Sequence, residues 1–296
     1  MYWGVDLGGT KIECAVLDEQ HQVLARKRVP TEAAKGMQHI ISQIGLAIDL
    51  CRTETGSSPK QLGIGTPGSV DPQTGLLKNS NTQAINNQPF YSELQKALSI
   101  PVKIANDANC FALAEAQMGA VKDQYPDASV VFGVIMGTGT GGGIVIDGKV
   151  LNGRHGIGGE WGHAHLDASG GKCYCGDTGC TERILAGPSL ERFYEEQSGV
   201  KRSLKDIYAA YNAGTDEVAN QTMERLIHFF GLGLSNIINV LDPDVIVLGG
   251  GVSNLDILYT LGVESVKKHV FNPSFHTPII KPKLGDSAGV FGAALL

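Results

Sequence analysis

The first thirty residues alternate short apolar runs with polar breaks, a pattern typical of β-strands. Strands are predicted at residues 2–7, 12–17 and 22–29, joined by hairpins. Over residues 36–54 the apolar positions recur every three or four residues instead, which predicts a helix with one buried face. Strands at 61–66 and 102–105 follow, and the second leads through Asn106-Asp107 into a predicted helix at 108–119.

The second half of the chain opens with the same order of elements as the first. A strand at 129–136 runs into a Gly-Thr-Gly turn, a second strand at 143–146 and a hairpin at Asp147-Gly148. The remaining predicted elements are a long helical region over about 187–240, a strand at 245–248 and a closing helix at 287–296. This repetition predicts two α/β domains.

Length, composition and charge agree with two soluble domains. The chain has 296 residues, and a domain commonly has about 150. Hydrophobic residues make up 42% and charged residues 18%, which excludes a disordered or fibrous protein. The net charge of −6 disfavours nucleic acid and anionic membranes as partners, and the run Arg26-Lys27-Arg28 is interpreted as a solvated strand face.

No membrane segment or secretory signal is predicted. The longest uncharged run, at 128–146, has the length of a membrane span, but glycine, serine and threonine fill half of it. An aspartate already stands at position 6, inside the region where a signal peptide would be apolar. We therefore expect a cytoplasmic protein.

Glycine is the anomaly in the composition, with 39 residues against roughly 21 for an average chain of this length. Three glycine clusters each follow an apolar strand: Gly8-Gly9-Thr10-Lys11, residues 137–143, and Gly249-Gly250-Gly251. Glycine lets backbone N–H groups approach an anion and threonine adds a hydroxyl donor, so these clusters are predicted to bind phosphate. The glycine excess is attributed to them and to the loops around Glu160 and the clustered cysteines.

Two established nucleotide motifs do not explain these clusters. The pattern G-x-G-x-x-G occurs at 137–142 and at 63–68, but a strand follows the first and a proline-rich turn the second, where a dinucleotide site needs a helix. The P-loop pattern G-x-x-x-x-G-K-[ST] is absent.

The six cysteines indicate one metal site rather than a disulfide framework. Three are isolated, whereas Cys173, Cys175 and Cys180 lie within eight residues. Three thiolates can serve a tetrahedral zinc ion that needs a fourth ligand. Spacing alone leaves three candidates for that ligand: His155, His163 and His165.

Four motifs in this order resemble the ROK family (repressor, open reading frame, kinase). They are Asp6-Leu7-Gly8-Gly9-Thr10-Lys11, Asn106-Asp107, Glu160-Trp161-Gly162-His163, and the run from Cys173 through Cys175 and Cys180 to Glu182. The resemblance runs from residue 2 to the C-terminus. It implies two actin-like (ribonuclease H-like) α/β lobes with ATP and a hexose in the cleft between them, and a homodimer. The expected lobes are 1–118 plus 284–296, and 119–283 with the zinc-binding loop.

Asp107 is the candidate catalytic base. Phosphoryl transfer needs a group that accepts the proton of the attacking hydroxyl, and the helix dipole favours a carboxylate where Asp107 begins a helix. The resemblance makes Asn106 a ligand of sugar hydroxyls, and it assigns Asp6 to Mg²⁺ through water.

The resemblance also assigns roles to the other motif residues. The expected sugar-site residues are Gly68, Asn81, Asn106, Asp107, Glu160, His163 and Glu182. The expected ATP-site residues are Asp6, Gly8, Gly9, Thr10, Lys11, Gly137, Thr138, Gly139, Gly250 and Gly251. The family pattern selects His163 as the fourth ligand, beside Cys173, Cys175 and Cys180, of a structural zinc ion that fixes the sugar-binding side chains.

The identity of the sugar is left open between two groups. The loop at 79–90 and the stretch at 241–296 resemble fructose and mannose kinases, which favours an ATP-dependent kinase acting on the 6-hydroxyl of fructose, mannose or glucose. Those kinases often carry Trp where this chain has Ala84, and the space could take an N-acetyl group. The start of the chain and residues 106–116 resemble N-acetylglucosamine kinases, so an N-acetylglucosamine or N-acetylmannosamine kinase is the alternative.

A sugar-sensing repressor of the same family is the alternative from another class. Such repressors carry a helix-turn-helix domain before the first glycine motif, and here only five residues precede Asp6. We therefore expect an enzyme.

Overall fold

The computed structural model describes residues 1–296 and begins with a mixed five-stranded sheet. In chain order the first elements are β1 (Tyr2–Leu7), β2 (Lys11–Leu17), β3 (Val23–Pro30), α1 (Met37–Thr55), β4 (Leu62–Thr66), β5 (Ser69–Val70), β6 (Leu77–Lys78), α2 (Phe90–Leu98), β7 (Val102–Asn106), α3 (Asp107–Gln117) and α4 (Ala120–Gln124). The sheet has the order β3-β2-β1-β4-β7, with β1, β4 and β7 parallel. The predicted strands and α1 are therefore confirmed, with ends that differ by a residue or two.

A second five-stranded sheet follows. Its elements and the helices after it are β8 (Val130–Met136), β9 (Thr140–Ile146), β10 (Lys149–Val150), α5 (Glu182–Leu185), α6 (Gly187–Ser198), α7 (Leu204–Ala213), α8 (Glu217–Leu241), β11 (Val245–Gly249), α9 (Leu261–Lys267), β12 (Ile279–Ile280) and α10 (Ala288–Ala294). The strand order is β10-β9-β8-β11-β12, with β8, β11 and β12 parallel. None of the helices combines the length and apolar character that crossing a membrane requires.

The chain forms two compact units. The first comprises Met1–Ser129, Gly143–Gly159 and Lys283–Leu296, and the second comprises Val130–Gly142 and Glu160–Pro282. The sequence places the main boundary at 118/119, whereas these units divide at 129/130, and residues 143–159 lie with the first unit.

The predicted helical region over 187–240 is three helices, α6, α7 and α8. Gly199 and Gly214 adopt left-handed conformations at the C-terminal ends of α6 and α7. The side chains of Ser203 and Asp216 then accept hydrogen bonds from the first turns of α7 and α8. These local signals divide the region.

Close packing of α10 on the first sheet requires glycine at two strand positions. A Cβ added at Gly4 would lie 2.3 Å from the carbonyl oxygen of Val290, and one at Gly63 would lie 1.7 Å from that of Ala293. Any side chain would push the helix off the sheet. The glycine excess therefore serves helix–sheet packing as well as the loops to which the sequence assigns it.

The basic run on β3 is engaged in ion pairs. Arg26 and Arg28 contact the buried carboxylate of Glu13 on β2 at 3.3 and 2.9 Å, and Lys27 pairs with Glu54 of α1. The three side chains are 38–48% exposed, so the run lies on a solvated strand face as the sequence predicts, and acidic groups on neighbouring elements offset its charge.

A buried carboxylate on α3 holds the returning C-terminal segment. Glu115 accepts hydrogen bonds from the backbone N–H groups of Ala120, Lys283 and Leu284, at distances of 2.7 to 3.1 Å. A buried carboxylate is tolerated when such donors satisfy it. Glu115 thus ties the start of α4 and the entry to α10 to one point of the first unit.

Candidate active site

The carboxyl ends of the three parallel strands of the first sheet place Asp6, Thr66 and Asn106 at one edge. In the strand register Asp6 lies beside Gly65, and Thr66 lies beside Asn106. Polar groups at this edge can meet a common ligand, as is usual for α/β sheets. Asp107 follows directly as the first residue of α3.

The N-terminus of α3 is capped by Asn106. Its Oδ1 accepts a hydrogen bond from the N–H of Ala108 at 2.9 Å, and Oδ1 of Asp107 accepts from the same N–H at 2.8 Å. Capping by Asn106 fixes the direction in which Asp107 leaves the helix. The amide nitrogen of Asn106 is not used in this cap.

Both acidic groups of this edge have raised pKa values. Burial raises the pKa of Asp6 from 3.8 to about 7, and the negative charges of Asp107 and Glu13 add to the shift. The side chain of Asp107 keeps contact with solvent, but the protein around it displaces enough water to raise the pKa of its carboxyl; the N–H of Ala108 acts in the opposite direction. The negative charge of Asp107 thus disfavours ionisation of Asp6, and a proton or a nearby cation relieves this repulsion.

The first glycine turn lies next to the predicted sugar loop. Gly8 donates its N–H to the carbonyl of Lys11 at 3.0 Å, which closes the turn, and Gly9, Thr10 and Lys11 are exposed. A Cβ at Gly9 would lie 3.9 Å from the hydroxyl of Thr82, the neighbour of Asn81.

The predicted sugar loop at 79–90 also requires a glycine at position 68. Gly68 has a φ of 84°, and a Cβ there would lie 2.3 Å from the carbonyl oxygen of Lys78. Gly68 and Asn81 thus belong to segments that pack together in the first unit, and Asn81 is exposed.

In the second unit the second and third glycine clusters border one cavity of about 690 Å³. Gly137, Thr138 and Gly251 contribute to its wall. Gly250 has a φ of 83° and packs against the carbonyl of Met136, where a Cβ would come within 2.3 Å. Gly250 shapes the turn and Gly251 lines the cavity.

Several residues of this cavity are not identifiable from the sequence. The rest of the wall comes from α6, α7 and the segment after β11: Gly187, Pro188, Glu191, Leu204, Lys205, Tyr208, Val252, Asn254 and Leu255. They combine apolar surface, one aromatic ring, one lysine and Glu191, whose Oε1 accepts a hydrogen bond from the N–H of Leu204, and such a mixed wall suits a nucleoside with phosphates. No motif marks them, because tertiary packing alone brings these helices to the glycine turns.

Glu182 contacts the second glycine turn. Its Oε2 accepts a hydrogen bond from the N–H of Thr140 at 3.1 Å, and a Cβ at Gly139 would lie 2.5 Å from the same oxygen. Glycine at position 139 therefore makes room for this carboxylate. Oε1 of Glu182 is not part of this contact.

The predicted metal ligands lie together in the second unit. A ring nitrogen of His163 and the sulfurs of Cys173, Cys175 and Cys180 are all within 4.8 Å of one another. The distances are 3.5 Å between the sulfurs of Cys175 and Cys180 and 3.7 Å from the sulfur of Cys173 to Nδ1 of His163. Ligand bonds of about 2.0–2.3 Å to a tetrahedral zinc ion need similar separations between the donors. The group does not include His155 or His165.

Tyr174, between two of these cysteines, is a further site residue that the sequence does not reveal. Its hydroxyl oxygen lies 2.9 Å from Nε2 of His163. Reduced hydration of the hydroxyl beside the His163 ring, followed by the negative charge of Glu182, raises the pKa of Tyr174 to about 12, so the hydroxyl is protonated at neutral pH. In the sequence, nothing distinguishes this tyrosine from any other residue that could stand between two motif cysteines.

The two sheets and the glycine turns at their strand ends define an α/β protein of the actin-like, ribonuclease H-like class. The chain belongs to the ROK family, whose model matches residues 2–296. It is similar to an N-acetyl-D-glucosamine kinase of Vibrio cholerae, with 37% identity over 308 residues that cover 100% of this chain and 99% of that protein.

Solved structures agree with this assignment. The ROK hexokinase of Thermus thermophilus is 32% identical, with a TM-score of 0.89 over 99% of this chain and 96% of that one. A ROK glucokinase of Streptomyces griseus, solved in complex with glucose and AMPPNP, is 28% identical, with a TM-score of 0.77 over 99% and 97% of the two chains.

We expect Asp6 to make the stability of the ligand-free protein depend on pH. Because its pKa is raised to about 7, the folded protein keeps a proton that the unfolded chain releases near its ordinary value of 3.8. Its contribution to the free energy of unfolding should fall as pH rises from about 4 to about 7 and then level off. Asp6→Asn removes this pH-dependent contribution. The difference in free energy of unfolding between variant and wild type should therefore shift in favour of the variant as the pH rises across that window.

Urea unfolding of both proteins between about pH 5 and about pH 8 measures this difference. Asp49→Asn, on the exposed face of α1, is the control and should show a difference from wild type that does not vary with pH. A constant difference for Asp6→Asn as well would contradict the raised pKa.

Proposed function

We propose that this protein is an ATP-dependent N-acetylglucosamine kinase that phosphorylates the sugar on its 6-hydroxyl. The placement of Asp107 carries the catalytic part of the proposal: a carboxyl with a raised pKa, at a helix N-terminus, beside the second carboxyl Asp6. The full-length similarity to the Vibrio cholerae enzyme supports the choice of sugar. This choice takes the place of a fructose, mannose or glucose kinase as the leading interpretation.

In this proposal Asp107 accepts the proton of the 6-hydroxyl while the hydroxyl oxygen attacks the γ-phosphorus. A bond forms from that oxygen to phosphorus, and the bond from phosphorus to the oxygen of the departing ADP breaks. A base with a pKa above that of a free carboxyl holds the proton better. Asp6 would hold Mg²⁺ through water, and this ion neutralises charge on the phosphates.

The cavity of the second unit is the proposed adenosine and phosphate site. Thr138 and the N–H groups of the second glycine turn can donate to phosphate oxygens, and Lys205 offers a positive charge at the wall. The structure of the Streptomyces griseus glucokinase with AMPPNP supports ATP as the donor.

Two features of the first unit support an N-acetyl sugar. A cavity of about 500 Å³ is lined by Asn106, Ser69 and the apolar side chains of Val70, Ile104 and Leu113, among others. The buried hydroxyl of Ser69 has no hydrogen-bond partner within the protein. An acetamido group offers a methyl group to these apolar side chains and a carbonyl oxygen to the hydroxyl of Ser69. An N-acetyl substituent therefore suits this cavity, which Asn106 also lines.

We expect Asp107→Asn to separate catalysis from binding. The amide cannot accept the proton, so turnover should fall by about 10²–10⁴-fold, while sugar affinity should stay within about tenfold because the side chain keeps its size. Steady-state kinetics and calorimetry measure the two effects. The control Asp127→Asn, in the exposed segment before β8, should keep wild-type turnover. Near-normal turnover of Asp107→Asn would remove it as the base.

A panel of sugars tests the substrate. With ATP and Mg²⁺, we expect N-acetylglucosamine to give the highest kcat/KM among N-acetylglucosamine, N-acetylmannosamine, glucose, mannose and fructose, measured as ADP release over a sugar-free control. A lost acetyl contact is worth about 1–3 kcal/mol. A higher kcat/KM for fructose, mannose or glucose would restore the hexose kinase interpretation. No release with any sugar would favour a binding protein or repressor.

The group of His163 and three cysteines is the proposed structural zinc site, since all four positions of a tetrahedral ion are taken by protein. We expect Cys175→Ser to lower zinc content and thermal stability together, because metal binding contributes to folding. Elemental analysis and thermal melting measure both. Thr178→Ala, in the same loop, is the control. Loss of zinc with unchanged stability would contradict a structural role. The homodimer and the cytoplasmic location stay predictions.

A further inference from the structure

The hydroxyl of Tyr174 is hydrogen-bonded to one ring nitrogen of His163. The two rings meet edge to face, with centroids 5.1 Å apart and an angle of 89° between their planes. The hydroxyl oxygen is 2.9 Å from Nε2, although 76% of the Tyr174 residue is exposed to solvent. Little of this side chain is packed, so its hydrogen bond to His163 is the contact that defines its position.

The direction of this bond follows from the metal cluster. Nδ1 of His163 faces the thiols, at 3.7 Å from the sulfur of Cys173. With a zinc ion bound at Nδ1, the hydrogen of the imidazole would reside on Nε2 and would be donated to the hydroxyl oxygen of Tyr174. His163 therefore has one N–H to offer on the side away from the cysteines.

The two roles assigned to His163 compete for this single N–H. As a metal ligand it uses Nδ1, and as a sugar ligand it has to donate from Nε2 to a sugar hydroxyl. That position is taken by Tyr174. The exposed ring can swing away into solvent at small cost, because it gives up little buried apolar area.

We propose that Tyr174 sets the affinity for the sugar by holding the Nε2 hydrogen of His163 until a sugar hydroxyl displaces it. This inference rests on the proposed function, since it takes the sugar to be a ligand of His163. Sugar binding then exchanges one hydrogen bond for another instead of gaining one. A net hydrogen bond changes an equilibrium constant by about two- to tenfold, which is the size of the expected effect.

The test is Tyr174→Phe, which removes the hydroxyl and keeps the ring. Calorimetry without nucleotide, on zinc-loaded protein, should give a Kd for N-acetylglucosamine two- to tenfold lower than wild type, by the value of about one hydrogen bond. KM should fall in parallel and kcat should stay within about twofold, since the hydroxyl plays no part in phosphoryl transfer. Tyr174→Ala should match Tyr174→Phe, because the ring contributes little. The control Tyr125→Phe, in the first unit, should bind sugar as wild type does.

Three results would overturn the inference. An unchanged Kd would mean that the sugar does not take the Nε2 hydrogen from Tyr174. A raised Kd would mean that Tyr174 binds the sugar itself. Faster loss of zinc to a chelator from Tyr174→Phe, together with weaker sugar binding, would make Tyr174 a positioning residue for the metal ligand.

Failure of the proposed function gives a different result. Wild-type protein would then bind none of the sugars in the panel, and this inference would fall with it. Wild-type binding that Tyr174→Phe does not tighten would overturn the inference alone.

Discussion

The burial of the Asp6 carboxyl near the negative charge of Asp107 is the constraint that dominates the strand-end edge of the first sheet. Burial and this repulsion raise the pKa of Asp6 to about 7, so the ionised form is unfavourable without a cation. The parallel register of β1, β4 and β7 brings the two groups to one edge. Helix α10 passes close to the Asp6 carboxyl at Gly289, where an added Cβ would lie 3.2 Å from that carboxyl. A proton or a nearby cation relieves this unfavourable charge.

Much of the fold can be predicted from the sequence where the signal is local. Strand alternation, the spacing of apolar residues in α1 and the order Asn106-Asp107 before a helix are properties of a few neighbouring residues. The glycines that admit α10 give no such signal, because their need arises only when a particular helix face meets a particular strand. Glu115 is similar: in the sequence it is an ordinary helix acid, and only the return of the chain at Lys283 supplies its donors. The division of 187–240 could have been predicted, since Gly199 and Gly214 end helices in the usual way.

In the candidate site too, the sequence predicts what local residue patterns determine and misses what tertiary packing determines. The sequence predicts the site's motif residues because phosphate, metal and sugar chemistry restrict residue type and spacing at once, and the structure brings Cys173, Cys175 and Cys180 together as that spacing predicts. Lys205 and Tyr208 are not identified, since any of several residues could line a cavity and their helices reach it through tertiary packing. Residue chemistry alone leaves fructose, mannose, glucose and N-acetyl sugars open as substrates, so the choice proposed above rests on similarity to a relative.

The proposed zinc site has a consequence beyond its own loop. Cys180 lies two residues before Glu182, whose Oε2 accepts a hydrogen bond from Thr140 at the end of the second glycine turn. A metal ion that fixes Cys180 therefore also fixes the carboxylate that holds the turn. This contact uses Oε2 of Glu182; in the proposed function Oε1 would accept a hydrogen bond from a sugar hydroxyl, so that one side chain would serve both the glycine turn and the sugar. A Cβ at Gly139 would displace that carboxylate, so glycine is needed there to make room for an acid, a requirement that holds whether or not the turn binds a phosphate.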